Sequence, residues 1–423
     1  MAQVVPYQAL RFTERAGDIA QLACPPYDII SETERQNFLR QNPYNIIRLE
    51  LPRDGADPYA VAGDTLHTWL QDGILAQDQV PAFYIYDITF DVGGEKHITG
   101  LIGRVHLEEF EKGVVLPHEF TLSKAKTDRL NLMHTTGCNF SNIYSLYRED
   151  DPASPIHNVS ALIDQASLLS EMTDAAGLTH RLWALTDQTI TAAIVAAFAD
   201  HKLYIADGHH RYETALNYRK ELLANGTHTE DADYCMMMLV EMSHPGLVVF
   251  PTHRIVRDLP QFSANTLLAA CEEYFDVKTS SADSLQSELD AAYAAEKKAF
   301  GFYDGAQCAV LTLKDTAVMD ALLPDLSAVS RQLDVSILHT LVLERLLHID
   351  KENMANQINL TYTRDSQEAL HAVENGTANC CFLLNPTRVS EIRDVAAAGE
   401  KMPQKSTYFY PKLITGLTMN KIL

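Results

Sequence analysis

Positive charge is scarce in this chain. It has 34 Lys and Arg residues against 56 Asp and Glu residues, a formal net charge of −22 at pH 7. Such a charge repels nucleic-acid backbones and anionic membrane surfaces. The sequence also lacks an apolar run of the ~20 residues that a membrane span needs, and it lacks a secretion signal at its N-terminus. We therefore predict a cytoplasmic protein that binds a small-molecule substrate and neither nucleic acid nor membrane, and we leave open a homo-oligomer.

Several common motifs are absent as well. The seven cysteines form no C-x-x-C pair, which disfavours a disulfide framework and a zinc ribbon. The sequence contains no P-loop, no Rossmann glycine fingerprint, no G-x-S-x-G elbow and no H-E-x-x-H motif. If this protein handles nucleotide phosphates, it must hold them with a less common turn.

The most informative segment is a polar turn between an apolar run and a helical pattern. Residues 203–206 predict a strand, and apolar spacing after the turn predicts a helix that stops at Asn225-Gly226. The turn itself consists of Asp207, Gly208, His209, His210 and Arg211. A helix N-terminus offers free N–H groups and a positive dipole end to an anion. Glycine permits a positive φ, and a guanidinium adds paired donors. The segment therefore predicts a phosphate or carboxylate site.

A second polar cluster follows a strand pattern at residues 117–129. Glu119 is a candidate to accept a proton from a substrate hydroxyl, and Lys124 and Arg129 are candidates to neutralise phosphate oxygens. The alternative is a solvated loop and first helical turn with incidental ion pairs. The sequence does not establish that this cluster meets residues 207–211 in space.

Two later segments offer further donors. Arg254 follows an apolar run and either faces the same cleft or is a charge on an edge strand. Residues 402–412 combine Lys405 and Thr407 with aromatic side chains. They form either a structural closing strand or a strand whose donors reach a pocket.

Strand and helix patterns alternate through the chain, which predicts a mixed α/β (α+β) fold. Strands are expected near residues 82–90 and 96–107. Ser31 and Glu34 have the spacing of a capping box, which predicts a helix start. A further helix is expected over residues 334–347.

A composition shift near residues 258–260 suggests a domain boundary. We predict a core over residues 1–258 that carries the site, and a C-terminal α/β portion over residues 259–423 packed on it.

Motifs spread over nearly the whole chain resemble the DUF1015 family, a bacterial and archaeal family without an assigned activity. The matching segments are Cys24 to Ser31, Asn42-Pro43, Thr99 to Gly103, His118-Glu119-x-Thr121 with Asp128-Arg129, His180 to Trp183, Tyr204 to Arg211 and Met402 to Lys412. The chain departs from the family pattern at Ser123-Lys124, where the family favours Asp, and this leaves the role of Lys124 open.

The turn at residues 207–211 also resembles the glycine–histidine/arginine turn of the ParB/sulfiredoxin-like fold. That resemblance implies a ParB/sulfiredoxin-like nucleotide-binding core with additional α/β segments. Members of that superfamily include ATP- or ADP-dependent kinases of free serine and CTP-binding partition proteins.

These observations lead to the hypothesis of a small-molecule kinase. It would move a phosphoryl group from a nucleotide (ATP or ADP) or pyrophosphate to a hydroxyl metabolite such as free serine. Its catalytic residues would be Glu119, Asp207, His209 and His210, with Asp207 also holding Mg²⁺. Its phosphate ligands would be Gly208, His209, His210, Arg211, Arg129, Lys124 and Arg254.

Two other hypotheses stay open. The protein is alternatively a non-catalytic nucleotide-binding regulator, which needs the phosphate-binding turn but no base. A thiol enzyme that uses Cys24 is a third possibility, and it requires a neighbouring cation or helix N-terminus to ionise the thiol.

Overall fold

The computed structural model describes residues 1–121 and 123–423 and has a mixed α/β fold, as predicted. The chain forms two compact units. The first contains residues 1–117, 121–248 and 411–423, and the second contains residues 118–120 and 249–410. The boundary that we placed near residue 258 stays a prediction, because a compact unit is not by itself an independently folding domain.

The first unit is built on a nine-stranded sheet. In order across the sheet, the strands are Val115–Leu116, Leu203–Asp207, Ile143–Tyr147, Tyr234–Glu241, Glu95–His106, Phe83–Asp91, Thr179–Leu185 and Ser167–Thr173, and Val4–Val5 pairs separately with Glu95–His106. The two central strands expected near residues 82–90 and 96–107 are thus present. Residues of the 234–241 strand are buried along its whole length, as expected for a strand covered on both faces.

Helices and shorter strand pairs complete the first unit. Its α-helices are Ile19–Leu22, Glu32–Gln41, Ile47–Glu50, Pro58–Gln71, Ser123–Thr136, Gln188–Phe198 and His209–Asn225. Its 3₁₀ turns are Glu14–Ala16, Tyr27–Ile29, Phe110–Lys112, Val159–Gln165 and Glu230–Asp233. Leu10–Phe12 pairs with Leu75–Gln77, and Cys138–Asn139 pairs with Asn420–Lys421.

Local sequence signals explain where several of these helices begin. The capping box is confirmed: the Ser31 hydroxyl accepts from the Glu34 N–H, and the Glu34 carboxylate accepts from the Ser31 N–H at 2.8 Å. Asp57 caps the next long helix, which has Pro58 in its first turn. Both devices satisfy donors that a helix N-terminus leaves open.

The second unit has a six-stranded antiparallel sheet with helices around it. Its strand order is Phe275–Thr279, Cys308–Leu313, Ala299–Tyr303, Cys380–Leu383, His253–Val256 and Leu360–Thr363. Its α-helices are Ala264–Cys271, Ala282–Ala294, Val318–Leu322, Ala328–Arg331, Asp334–Ile337, Lys351–Asn356, Ser366–Glu374 and Val389–Ala397. Val248–Phe250 also pairs with Tyr408–Tyr410.

The helix that we expected over residues 334–347 is α-helical only at its start. Asp334–Ile337 is followed by a π-helix over Leu338–Glu344. The sequence gives no warning of this change, because the apolar spacing of the segment is compatible with either helix type.

In the part of the chain that the structure describes, no helix has both the length and the apolar character of a membrane span.

Candidate functional site

The polar turn lies where we predicted it, at the end of the 203–207 strand. Pairing of this strand with Ile143–Tyr147 shifts register between Ile205 and Asp207, so the strand bulges just before the turn. Gly208 has φ 96° and is the residue that caps the 209–225 helix. Only glycine adopts this left-handed conformation without strain. The turn thereby places the helix N-terminus directly after the strand.

Two hydrogen bonds within the protein hold the Arg211 side chain of the turn. Its guanidinium donates to the backbone oxygen of Asn142 and, at 2.8 Å, to the Asp207 carboxylate. A Cβ at Gly208 would lie 2.9 Å from Arg211 Nε, so the glycine also makes room for this side chain. Protein acceptors in the described part of the chain take only two of the five N–H donors of the guanidinium. Arg211 is therefore oriented but still has donors for a ligand.

Asp207 lies between two cations. Its second oxygen accepts from Lys412 Nζ at 2.7 Å. Burial alone would raise the pKa of Asp207, but the charges of Lys412 and Arg211 hold it well below its usual range. The carboxylate is therefore ionised at neutral pH, and both of its oxygens are engaged.

A second buried charge cluster lies beside Arg211. Glu50, at the end of the Ile47–Glu50 helix, is 2% exposed, and Arg129 is 6% exposed. Arg129 donates to the Glu50 backbone oxygen at 2.6 Å, and its guanidinium carbon lies 4.2 Å from the centre of the Tyr27 ring. Burial raises the pKa of Glu50, while the charges of Arg129 and Arg211 act in the opposite direction. Both arginines therefore act electrostatically on the same carboxyl group.

These residues line a small cavity of about 40 Å³. Its lining includes the polar residues Glu50, Arg129, Asn139, Ser141, Arg211 and Thr214. Glu50 Oε1 and Thr214 Oγ1 are enclosed and have no hydrogen-bond partner among the described residues. A water needs ~10–15 Å³ of such space, so the cavity has room for about three waters or for a small group such as a hydroxymethyl.

Near the N-terminal end of the 209–225 helix, further charged side chains form a pair. Glu213 accepts from Lys126 Nζ at 2.6 Å and from the Thr121 hydroxyl at 2.7 Å. His210 is half-buried; burial lowers its pKa, although the carboxylates of Glu213 and Asp28 oppose the shift. His210 is therefore neutral at pH 7, and a neutral imidazole is able to accept a proton.

Three of the predicted site residues lie elsewhere or face solvent. Lys124 is exposed, and it is Lys126 that pairs with the 209–225 helix. Glu119 belongs to the second unit, within residues 118–120. Arg254 is also in the second unit, where it is fully buried and donates to Thr252, Lys405 and His339. Their catalytic or phosphate-binding roles stay predictions, as do those of the turn residues, including the buried His209.

Four further residues of this region were not named as site residues from the sequence: Glu50, Tyr27, Lys126 and Lys412. Glu50 carried a usable signal, because it is a charged residue between Leu49 and Leu51, both of which are buried. Lys412 lies in the donor-bearing segment 402–412, but its pairing was not predictable, since its partner Asp207 lies 205 residues away in the chain.

The surroundings of Cys24 make its thiol unreactive. It is 2% exposed, and burial raises the pKa of its thiol well above the ordinary value, with the Glu50 charge adding to the effect. A nucleophilic cysteine needs a lowered pKa and access, so the structure disfavours the thiol-enzyme hypothesis.

The described residues contain no evident set of ligands for Mg²⁺. They contain no group of three or more His, Cys, Asp or Glu side chains suited to a metal ion. The ion pairs of Asp207 with Lys412 and Arg211 weigh against our prediction that it holds Mg²⁺. We therefore derive no step through a metal.

The sequence matches the model of a known protein family. The family described as "Protein of unknown function (DUF1015)" matches residues 4–336. The chain belongs to this family, as its motifs predicted. Among curated proteins, no match was found.

Several solved structures resemble the chain at low identity. A conserved hypothetical protein from Pyrococcus furiosus is 12% identical with a TM-score of 0.35, over 74% of this chain and 92% of that one. A free serine kinase variant in complex with ADP is 11% identical with a TM-score of 0.36, over 73% and 87%. SbnI from Staphylococcus aureus, truncated at its C-terminus, is 10% identical with a TM-score of 0.35, over 74% and 85%.

Proposed function

We propose that this DUF1015-family protein is a phosphotransferase. It moves a phosphoryl group from a nucleotide or pyrophosphate to the hydroxyl of a small metabolite, with free serine as the first candidate. The observation that carries the proposal is the position of Arg211. It is fixed at a helix N-terminus behind Gly208, it keeps unused donors, and it lies beside the enclosed carboxyl group of Glu50.

The proposed donor site is the turn at residues 208–211. Backbone N–H groups that point along the helix axis at its N-terminus, together with the guanidinium of Arg211, bind phosphate oxygens. Lys412 and Asp207 hold the turn in place by their ion pair. Most of the work in phosphoryl transfer is positioning and charge neutralisation, and this arrangement supplies both.

The proposed acceptor site is the cavity at Glu50. In the reaction, the Glu50 carboxylate takes the proton of the acceptor hydroxyl, and the acceptor oxygen forms a bond to the transferred phosphorus. The bond from that phosphorus to the bridging oxygen of the donor breaks, and the leaving phosphate group keeps the electron pair. A raised pKa suits a general base, because its conjugate acid is then weak enough to form readily near neutral pH.

Glu119 is the rival base, as the sequence predicted. Two variants, Glu50→Gln and Glu119→Gln, distinguish between the two candidate bases. Each is assayed with ATP, ADP or pyrophosphate and a panel of hydroxyl metabolites. Loss of the base is expected to lower turnover by about 100-fold or more. Loss in Glu50→Gln alone supports the assignment to Glu50, and loss in Glu119→Gln alone transfers the role to Glu119.

The phosphate site is tested with Arg211→Lys and a matched control. Arg219→Lys lies on the same helix, has a side chain 14% exposed against 12% for Arg211, and also donates to a backbone oxygen. Thermal shift with ATP, ADP, CTP and pyrophosphate, each with and without Mg²⁺, is expected to show stabilisation of the wild type and of the control only. Binding without turnover on any acceptor would instead favour the nucleotide-binding regulator. Absence of a shift with every ligand would overturn the proposal.

A further inference from the structure

The second unit contains a separate cavity of about 400 Å³. Its walls are largely apolar and include Leu323, Leu326, Met354 and Tyr362. Small-molecule sites usually enclose roughly 300–1,000 Å³ and combine apolar walls with a few polar groups. This cavity has the size and character of such a site, and the proposed phosphotransfer makes no use of it.

One wall of the cavity is the π-helix Leu338–Glu344, which contributes His339, Thr340 and Glu344. The wider turn is visible in the hydrogen bond from Leu347 N to Val342 O, five residues back. π-helical turns are rare and are frequently found at functional sites.

His339 supplies a buried donor at this wall. It is 6% exposed, and its Nε2 accepts from Arg254 Nε at 3.2 Å. Because Nε2 accepts, the ring proton is on Nδ1. Burial and the charge of Arg254 lower the pKa of His339 well below its usual value, so the ring stays neutral. Within the described residues Arg254 is the only hydrogen-bond partner of the ring, which leaves the Nδ1 N–H for an acceptor on a ligand.

The charges around the cavity favour an anion. Lys351 and Lys401 line it together with a single carboxylate, Glu344. Behind His339, the buried guanidinium of Arg254 lies 5.3 Å from the centre of the Tyr362 ring. Two lysines and one carboxylate therefore line the cavity, and the charge of Arg254 lies behind its wall at His339 and Tyr362.

We propose that this cavity binds a small monocarboxylate with an apolar body. Its carboxylate accepts from His339 Nδ1 and is attracted by the lining lysines, and its apolar body packs against Leu323, Leu326 and Met354. Met354 suits a variable ligand, because a thioether side chain adapts its shape to what it contacts. The lining residues of this cavity all belong to the second unit, and the proposed phosphotransfer uses none of them.

The test uses the full chain and two ligand series. Straight-chain acids from hexanoate to dodecanoate and 3-phenylpropanoate are titrated by calorimetry, and each is compared with its primary amide, which has nearly the same shape but no charge. At least one acid is expected to bind with a dissociation constant below about 1 mM and at least tenfold more tightly than its amide. Failure of every acid to bind, or equal binding of acid and amide, overturns the proposal.

Ala355→Trp locates the binding. Ala355 is an exposed residue that lines the cavity, so an indole there blocks the cavity without disturbing the core. Ala291→Trp, at an exposed position on the 282–294 helix, is the matched control. Binding of the acid should weaken at least about tenfold in Ala355→Trp only. Equal binding to both variants would place the acid elsewhere. Displacement of the acid by ADP, together with loss of ADP binding in Ala355→Trp, would make the cavity part of a nucleotide site and also overturn the proposal.

Discussion

Lys412 Nζ lies 2.7 Å from Asp207 Oδ1, although 205 residues separate the two in the chain. The side chains are 11% and 21% exposed, so the pair is largely shielded from water. It fixes the residue that ends the 203–207 strand and precedes the glycine of the turn. The C-terminal segment thus holds the polar turn in place.

Loss of this pair should destabilise the fold. In Lys412→Met, Asp207 keeps only Arg211 as a cationic partner, and we expect the free energy of unfolding at pH 7 to fall by roughly 1–3 kcal/mol in urea denaturation. Arg148→Met removes an exposed pair with Asp150, whose side chains are 56% and 75% exposed, and should change stability by less than about 0.5 kcal/mol. Equal effects of the two substitutions would show that the Lys412 pair is no more than a surface contact.

Asp207 should also impose a pH dependence of defined sign. A carboxyl group whose pKa is lowered by folding stabilises the fold above its unfolded pKa of about 4, and that stability is lost as pH falls through the folded pKa. The difference in unfolding free energy between wild type and Asp207→Asn should therefore be largest near pH 7 and shrink below about pH 4. A difference that stays constant across this range would contradict the ion-pair account.

Glu50 should act in the opposite direction. Its pKa is raised by burial, so its contribution is present below the unfolded pKa of about 4.3 and is lost as pH rises through the folded pKa. Glu50→Gln keeps the shape of the side chain without the charge. Denaturation at a series of pH values should show that the stability of the variant relative to wild type increases from acid to neutral pH. The reverse trend would mean that Arg129 and Arg211 more than offset the burial of the carboxylate.

The glycine of the turn can be tested against a second glycine on the same helix. Gly208 has φ 96°, and an added Cβ would lie 2.9 Å from Arg211 Nε; Gly226 has φ 68° and no atom within 4 Å of such a Cβ. Alanine at either position should cost about 1–2 kcal/mol of backbone strain. Only Gly208→Ala should displace Arg211 and weaken binding of ADP or pyrophosphate. Equal ligand binding by the two variants would separate the glycine from the phosphate site.

In the native state, the cysteines should not react with thiol reagents. All seven are buried free thiols, and burial raises the pKa of Cys24 well above its ordinary value. We expect Ellman's reagent at pH 8 to react with no thiol of the folded chain within minutes and with all of them in urea. Rapid labelling of Cys24 in the folded chain, followed by loss of activity, would revive the thiol-enzyme hypothesis.

Local signals predicted the turn correctly, and they did so for identifiable reasons. The strand before Gly208, the glycine itself and the stop at Gly226 all depend on backbone preferences that act within a few residues. The capping box at Ser31 is likewise a contact between residues three positions apart. Such features can be predicted from one sequence, because all the residues that form them lie within a short segment.

The partners of the turn were not predictable in the same way. Glu50, Arg129 and Arg211 come from three helices that are far apart in sequence, and only the folded sheet and its helices bring them together. The sequence named Arg129 and Arg211 by their chemistry but proposed Glu119 as the carboxylate. A single sequence contains no record of which distant acid faces a given arginine.

The order of segments in the two units has a mechanical consequence. Residues 1–117 and 411–423 both belong to the first unit, and residues 249–410 of the second lie between them in the chain. A force that pulls residues 1 and 423 apart must therefore strip the Asn420–Lys421 strand from Cys138–Asn139 or the Val4–Val5 strand from the large sheet before tension reaches the inserted unit. In single-molecule stretching, the first unit should rupture first and shield the second from load.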